Sequence, residues 1–169
     1  MTSTAASSSF DDIAPQSALD IPDGFRPIDM GGPFMVHNGP LYGRWTGTQL
    51  LLGFRVEARH TNPLKMCHGG MLASFCDMLL PCTALYQGQI ERRFLPTISL
   101  QVDYMGSAPL GAWVQGEAAV LRTTRNMLFA QGLVSADGEP ALRVSGIFKM
   151  GPLIGDGKDA DPFGLLSRP

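Results

Sequence analysis

The segment CHGGMLASFCDMLL, residues 67–80, constrains the fold most, because it is almost wholly apolar and carries a single charge, Asp77. From Met71 to Tyr86 the large apolar residues recur at helical spacing and form two neighbouring stripes. A helix that is apolar on most sides is buried on most sides. The segment therefore predicts a long central helix, and Pro81 predicts either a kink in that helix or an earlier end.

Several other segments alternate apolar and polar residues with the period of two that is typical of half-buried strands. They are LLGFRVEAR (51–59), TISLQVDYM (97–105), AWVQGEAAVLR (112–122), NMLFAQGLVS (126–135) and ALRVSGIFKM (141–150). The last two are joined by ADGEP, whose Asp-Gly pair is typical of a hairpin. Upstream, Phe34 to Val36 and Leu41 to Trp45 are predicted as short extended pieces. A buried helix followed by antiparallel strands predicts an α+β fold whose sheet curls around the helix.

The chain has 169 residues, which is enough for one domain with its own core. Residues 1–21 are predicted to be a mobile tail, residues 22–151 the single domain, and residues 152–169 an irregular C-terminal tail. A net charge of −2 and scattered basic residues argue against nucleic acid as a partner. No segment reaches the roughly 20 apolar residues of a membrane span. The N-terminus lacks a signal-peptide pattern, so a cytoplasmic protein is expected.

The cysteines Cys67, Cys76 and Cys82 are odd in number and lie in one short segment, which argues against a disulfide framework. A metal site also fits poorly, because there is no CxxC pair and because His60 and His68 lack paired ligand spacing. We therefore expect buried thiols and no metal.

Asp77 needs an explanation, because burying an ionised carboxylate without partners costs several kcal/mol. The side chain either reaches water at the rim of the sheet or belongs to a functional site. His68, Gly69 and Gly70 precede the helix, where bare N–H groups at the positive end of the helix dipole can hold a developing oxyanion. These residues could equally serve close packing of the turn. Asn62 could be a side-chain donor or an ordinary turn residue.

Asp77 and Gly69 are eight residues apart, which is about 12 Å along a helix. The two groups therefore cannot contact one reacting atom within a single chain. Two such helices lying antiparallel across a two-fold axis would bring Asp77 of one subunit to Gly69 of the other. The spacing predicts a homo-oligomer with composite sites at the subunit interface.

An ordered set of motifs resembles the hotdog-fold acyl-CoA thioesterases of the phenylacetate (PaaI) type. The set is Asn62, His68-Gly69-Gly70, Asp77 and the segments PTISLQVDYMGSAPLG and RNMLFAQGLVSADGEPALRVSGIFKM. The resemblance covers about residues 50–150 and implies a hotdog fold, in which a long central helix is wrapped by a curved antiparallel β-sheet. It also implies dimers or tetramers that hydrolyse acyl-CoA substrates without a metal, with no cofactor apart from the coenzyme A of the substrate.

Position by position, the resemblance gives Asp77 the role of the carboxylate that activates water or attacks the thioester directly. It gives Gly69 the N–H that polarises the thioester carbonyl, and Asn62 the role of a positioning side chain. Thr97 falls where the family often has a hydroxyl near the nucleophile, and His68 matches a supporting histidine. Further contacts to substrate and CoA are expected from Gly70, Arg122, Arg125 and Asn126.

Pro81 departs from the family, which frequently has a small hydroxyl residue one turn after the carboxylate. Adaptable apolar residues could line the acyl pocket, although such residues are more often core: Met66, Met71, Phe75 and Met78. Two other functions stay open on the sequence alone. One is a non-catalytic acyl-CoA- or lipid-binding module on the same fold. The other is a dehydratase or hydratase, which would pair His68 with an acid.

Overall fold

The computed structural model describes residues 20–30, 32–87, 90–157, 161 and 163–165. The predicted N-terminal tail lies outside these ranges except for its last two residues, and so do parts of the predicted C-terminal tail. The elements are β1 (Arg26–Ile28), α1 (Gly32–Asn38), β2 (Leu41–Trp45), β3 (Leu50–Arg55), a 3-10 turn (Ala58–His60), α2 (Gly69–Tyr86), β4 (Thr97–Tyr104), β5 (Trp113–Thr123), β6 (Met127–Ala136) and β7 (Glu139–Lys149).

The strands of the described chain form one seven-stranded sheet in the order β1-β2-β3-β5-β6-β7-β4. Every neighbouring pair is antiparallel. Register shifts interrupt β4, β5 and β6, and such irregularities bend a strand and increase its twist. The sheet curves around α2, which packs against its inner face. The predicted α+β fold, a long central helix wrapped by an antiparallel sheet, is confirmed.

The central helix α2 begins after the N-cap His68 and runs through Pro81 to Tyr86. Ten of its eighteen residues are buried, so the packing of the helix outweighs the one backbone hydrogen bond that Pro81 cannot make. Of the two outcomes predicted for Pro81, an early end is therefore wrong. Among the described helices, α2 passes a test of length and composition for a membrane span, with a mean hydropathy of 1.2. Because 56% of it is buried inside the domain, as in any core helix, this does not indicate a span.

Glycines in two strands allow α2 to approach the sheet closely. A Cβ at Gly116 of β5 would lie 2.5 Å from the Leu79 side chain, and one at Gly146 of β7 would lie 2.7 Å from Leu80. Such distances are too short for packed carbon atoms, so a side chain at either position would displace the leucine side chain that faces it. The two leucines follow Asp77 by two and three residues in α2, so these close contacts lie within one helical turn of the carboxylate.

The hairpin predicted from ADGEP is confirmed between β6 and β7. Asp137 and Gly138 have φ angles of 48° and 89°, and positive φ at both central residues is what a type I′ turn requires. The Asp137 carboxylate also accepts a hydrogen bond from the Trp113 N–H at 2.8 Å. The turn residue therefore joins three strands at this end of the sheet.

Two local predictions are wrong. Phe34 to Val36 is helical rather than extended, because it lies within α1, a short helix that buries Met35 and exposes its neighbours. The predicted strand 51–59 ends at Arg55, since the following residues close a 3-10 turn in which the Glu57 N–H donates to His60 Nδ1 at 3.0 Å. Leu41 to Trp45 is a strand, β2, as predicted.

The strand β3 is buried on both faces, although its sequence predicts one polar face. Its outward-facing Leu51 packs in a second apolar cluster with Phe25, Tyr42 and Trp113. Phe25 precedes β1 and meets Trp113 edge-on at 5.0 Å between ring centroids. The residues near the N-terminus of the described chain therefore cover a sheet face that solvent would otherwise reach.

Candidate active site

Asp77 and Thr97 are joined by a hydrogen bond, although they lie on different elements. Asp77 is half-buried in α2, and its Oδ1 accepts from the Thr97 hydroxyl at 2.6 Å. Thr97 is the first residue of β4, where the register of the strand shifts before Ser99. Such irregularities can re-aim a side chain. Both Asp77 and Thr97 line a cavity of about 640 Å³.

The start of α2 offers one open backbone donor rather than two. The Gly70 N–H donates to the His68 Nδ1 at 2.9 Å, so it is already engaged within the turn. The Gly69 N–H meets no acceptor within the part of the chain that the structure describes. Of the two glycine donors expected from the sequence, Gly69 therefore keeps the N–H that can bind an oxyanion at the positive end of the helix.

Asn62 shapes the turn that precedes this helix start. Its Oδ1 accepts from the Leu64 N–H at 2.9 Å and from the Met66 N–H at 3.2 Å. The turn is tied to α2 because the His68 N–H donates to the His60 carbonyl at 2.7 Å. The amide oxygen of Asn62 is thus structural, and its NH₂ group meets no acceptor among the described residues.

Tyr104, which the sequence did not single out, contacts the helix start directly. Its hydroxyl donates to the Gly69 carbonyl oxygen at 2.8 Å. Partial burial, with a smaller contribution from Cys76, raises the pKa of Tyr104, so the phenol stays protonated and remains a donor at neutral pH. The alternating pattern of β4 predicted the strand, but only the packing of β4 across α2 shows which helical residue Tyr104 reaches.

The strand β4 therefore links both ends of the candidate site. Thr97 at its beginning contacts Asp77, and Tyr104 at its end contacts Gly69. Because α2 is continuous between these residues, Asp77 and Gly69 are about 12 Å apart along its axis. A single chain therefore joins Asp77 to Thr97 and Gly69 to Tyr104, but it keeps these two pairs apart.

The predicted CoA contacts lie at the hairpin of β5 and β6, where Arg122 is near the end of β5 and Arg125 and Asn126 are in the turn. Arg122, Arg125 and Asn126 are all exposed there. Met127 pairs with Lys149, and Phe148 pairs with Thr97, so this turn lies at the same end of the sheet as Thr97. With β7 between β6 and β4, the separation is two strand spacings, or about 10 Å.

The four apolar residues suggested for the acyl pocket divide into different environments. Met71 and Phe75 are buried in the core, and Met66 lies on the surface. Met78 lines the same cavity as Asp77. The alternative that these residues are mostly core therefore holds for two of the four.

The three cysteines are buried free thiols, as predicted. Burial raises the pKa of Cys67 to about 12 and, with a smaller effect of the neighbouring Asp77, that of Cys76 to about 12. A thiol of this kind is almost fully protonated at neutral pH and is a poor nucleophile. Within the described ranges, no three side chains of His, Cys, Asp or Glu are grouped closely enough to share a metal ion.

His60 is a buried polar residue whose backbone contacts the start of α2. It is 2% exposed, and its Nδ1 accepts from the Glu57 N–H. Burial, helped by the charge of Arg59, lowers its pKa from 6.5 to about 4. The folded protein therefore holds His60 neutral at pH values where an unfolded chain would bind a proton.

We expect the protein to lose stability as the pH falls from 6.5 towards 4. The stabilisation from neutral His60 is complete above 6.5 and is lost through this window, by roughly 3 kcal/mol in the free energy of unfolding. Urea unfolding at several pH values measures the loss. His60→Asn, which keeps an acceptor near Nδ1 but cannot titrate, is the control. A parallel loss of stability in both proteins would contradict the assignment to His60.

A seven-stranded antiparallel sheet around one long helix, with a carboxylate on the helix and an open N–H at its start, defines the class of the protein as a hotdog domain with an acid-bearing site. The family model for the thioesterase superfamily matches residues 64–141. This match contains Gly69, Asp77, Thr97 and Tyr104. The predicted resemblance is confirmed: the chain has the hotdog fold, and its residues 64–141 match the thioesterase superfamily.

Individual proteins are similar to this chain in sequence or in fold. A Pseudomonas aeruginosa protein named "Putative esterase" is 25% identical over 133 residues, which are 78% of this chain and 98% of the relative. The fold also matches a variant of the phenylacetic acid degradation protein PaaI from Thermus thermophilus, at 21% identity and a TM-score of 0.59, over 70% of this chain and 98% of that one. A hypothetical thioesterase from Streptococcus pneumoniae, solved with coenzyme A, is 12% identical with a TM-score of 0.59, over 72% and 98%.

Proposed function

We propose that the protein hydrolyses an acyl-CoA thioester to the free acid and CoA, in sites that two copies of the chain build together. One observation carries this proposal. The strand β4 is an edge of the sheet, and its two ends contact two different parts of α2. Its Thr97 is hydrogen-bonded to Asp77, and its Tyr104 is hydrogen-bonded to Gly69.

An edge strand with exposed apolar side chains favours pairing with a second copy. Ile98 is 55% exposed and Tyr104 is 53% exposed, and β4 pairs only with β7 among the described strands. Unpaired edges of this kind recruit another strand. If β4 pairs with the β4 of a second copy across a two-fold axis, the strands run antiparallel, so Thr97 of one lies near the partner subunit's Tyr104.

This pairing would bring Asp77 of one subunit close to the partner subunit's Gly69, which a single chain cannot do. Within each subunit, Asp77 is hydrogen-bonded to Thr97 and Gly69 is hydrogen-bonded to Tyr104. The paired strands therefore bring Asp77 close to the partner subunit's Gly69. A carboxylate and an open N–H then approach one reacting atom from opposite subunits, and the two-fold axis generates two equivalent sites. The homodimer is the minimal active unit in this proposal, and a tetramer would contain two such units.

The chemistry follows from these two groups. Asp77 either takes a proton from water as that water attacks the thioester carbonyl carbon, or attacks the carbon itself and forms an anhydride that water then cleaves. The oxyanion is held by the partner subunit's Gly69 N–H at the positive end of its helix. The C–S bond breaks, CoA leaves as the thiolate, and the acid and the free thiol are the products after proton exchange.

The remaining predicted residues take supporting roles in this proposal. The Thr97 hydroxyl fixes the orientation of the Asp77 carboxylate, and His68 fixes the first turn of α2 by engaging the Gly70 N–H. The NH₂ group of Asn62 is a donor that can position the carbonyl or the water. The exposed end of the β5–β6 hairpin, with Arg122, Arg125 and Asn126, provides donors for the phosphates of CoA. Because the chain itself supplies the base and the oxyanion donor, the proposal requires no metal.

Free-thiol release from phenylacetyl-, butyryl-, decanoyl- and palmitoyl-CoA tests the proposal. We expect release from at least one of these substrates, with unchanged rates in the presence of EDTA. Calorimetric binding of the same compounds is the parallel measurement. Binding without thiol release would identify a non-catalytic acyl-CoA-binding protein and would contradict hydrolysis. Turnover of an enoyl-CoA without thiol release would instead favour a hydratase.

A further inference from the structure

The cavity beside Asp77 is lined in part by residues that the matched family segment does not include. Its walls include Met78 and Leu85 on α2, Leu95 before β4, and Ile154 and Phe163 after β7. Residues 154 and 163 lie beyond the family match, which ends at residue 141. The C-terminal segment of this chain thus contributes its own wall to the cavity that begins at Asp77 and Thr97.

Backbone hydrogen bonds hold the first part of this wall in place. The segment 150–157 pairs with residues 92–94: Gly151 N–H donates to the Phe94 carbonyl at 2.9 Å, and Phe94 N–H donates to the Pro152 carbonyl at 2.9 Å. Ile154 N–H donates to the Arg92 carbonyl at 3.0 Å. Although irregular, this segment is therefore fixed by the same kind of contacts that hold a strand in a sheet.

Side chains hold the second part of the wall against the end of α2. The rings of Tyr86 and Phe163 are stacked, with centroids 5.3 Å apart and an interplanar angle of 11°. The Tyr86 hydroxyl donates to the Asp161 carboxylate and accepts from the Leu165 N–H, which is 3.1 Å away. Trp45 packs against the same tyrosine ring at 5.7 Å. Tyr86 is thus the anchor of the C-terminal wall.

The chemistry of the cavity fits a flexible apolar chain. Its apolar lining combines methionine, leucine, isoleucine, phenylalanine and proline side chains, of which methionine adapts most easily to an alkyl chain. The Arg93 guanidinium at its border is engaged by the Glu91 carboxylate at 2.7 Å and the Gly151 carbonyl at 3.2 Å. This pairing balances the positive charge of Arg93, and the Asp29 and Arg92 side chains, which also line the cavity, carry opposite charges. The charged part of the lining therefore does not favour an acyl group with a terminal carboxylate.

The volume sets the size of the group. The cavity measures about 640 Å³, in the middle of the range of roughly 300–1,000 Å³ that small-molecule pockets occupy. A phenylacetyl group would fill only part of it, whereas a medium-length alkyl chain would fill more and bury more apolar surface.

We propose that the C-terminal segment, through Ile154 and Phe163, forms the far wall of an acyl pocket that takes a medium-length to long alkyl chain and sets its length. This inference rests on the proposed hydrolysis at Asp77, because the thioester carbonyl must lie at the Asp77 end of the pocket. The alkyl chain then runs along Met78 and Leu85 towards the wall, where its end contacts Ile154.

Ile154→Trp tests the wall without touching the reacting groups. Ile154 is 41% exposed and borders the cavity, so a larger side chain there fills pocket volume without overpacking the core. We expect kcat/KM for decanoyl- and palmitoyl-CoA to fall about tenfold or more, with less than a twofold change for butyryl-CoA. Leu153→Trp, at a 45% exposed neighbour that does not line the cavity, is the matched control and is expected to keep the wild-type profile.

Phe163→Ala provides the opposite change, because it removes part of the wall while the Tyr86 hydroxyl and its partners remain. We expect the ratio of kcat/KM for palmitoyl-CoA to that for decanoyl-CoA to rise severalfold. The inference is overturned if both variants keep the wild-type dependence on chain length, or if the wild type prefers phenylacetyl-CoA to decanoyl-CoA. Failure of hydrolysis itself has a different signature, since the wild type would then release no thiol from any of the compounds.

Discussion

Asp77→Asn is expected to lower the rate of thioester hydrolysis by about 10²- to 10⁴-fold and to leave the fold intact. The amide cannot act as a base, and it is a far weaker nucleophile than a carboxylate. It keeps the shape of the side chain and an oxygen that can accept the hydrogen bond from Thr97, which spans 2.6 Å in the wild type. Thiol release with a saturating acyl-CoA measures the loss, and circular dichroism during heating checks the fold.

Asp137→Asn is the matched control for this substitution. Asp137 carries the same side chain on an exposed turn, and its φ of 48° suits asparagine as well as aspartate. An asparagine oxygen can also accept from the Trp113 N–H, as the carboxylate does. We expect wild-type activity in this variant. If Asp77→Asn retained half of the wild-type rate or more, Asp77 would have no direct role in the chemistry.

Gly69→Pro is expected to lower the rate by about 100-fold or more, because it removes the one open N–H at the start of α2. Proline is tolerated at the first position of a helix, where its missing N–H breaks no helical hydrogen bond. The preceding residue must be extended, and His68 has φ −64° and ψ 137°, which satisfies this requirement. The substitution should therefore change the chemistry far more than the stability, which kcat and the thermal midpoint measure separately.

Gly69→Ala distinguishes two reasons for a glycine at this position, its N–H and its lack of a side chain. An alanine Cβ would lie 3.4 Å from the nearest atom of the Tyr104 ring, which is an ordinary van der Waals contact. The alanine variant keeps its N–H, so we expect it to retain most of the activity. Equal losses in the proline and alanine variants would show that close packing, rather than the N–H, makes glycine necessary here.

Mixed dimers distinguish a composite site from a site within one chain. A heterodimer of Asp77→Asn and Gly69→Pro subunits has one site with both defects and one site with neither, if the carboxylate and the N–H come from opposite subunits. Its rate should then approach half that of the wild type, although each variant alone is nearly inactive. If both groups came from the same chain, every site in the mixture would carry one defect and no activity would return.

Local sequence patterns predicted much of the fold correctly. The apolar stripes from Met71 to Tyr86 predicted α2, and the Asp-Gly pair predicted the hairpin between β6 and β7. These features depend on the period of the chain and on allowed backbone angles, which neighbouring residues determine. The strand predicted for 51–59 was too long, because the hydrogen bond between the Glu57 N–H and His60 ends it in a turn that an alternating pattern does not reveal.

The candidate site was likewise predicted only in part from the sequence. The carboxylate in an apolar helix and the glycines at its start single out Asp77 and Gly69 as candidates, and helical geometry sets their separation. The sequence did not show that the Gly70 N–H is engaged by His68 or that Tyr104 contacts the Gly69 carbonyl. Both facts depend on side-chain orientation and on the placement of β4 across α2.

The amino-acid order alone thus specified a buried helix with one acid, a set of alternating strands and a distance of about 12 Å between Asp77 and Gly69. Periodicity and rise per residue suffice for these properties, because they are local. The order of strands, the edge position of β4 and the cavity wall made by Ile154 and Phe163 required the folded chain. Each of these depends on contacts between residues far apart in sequence, and backbone period carries no information about such contacts.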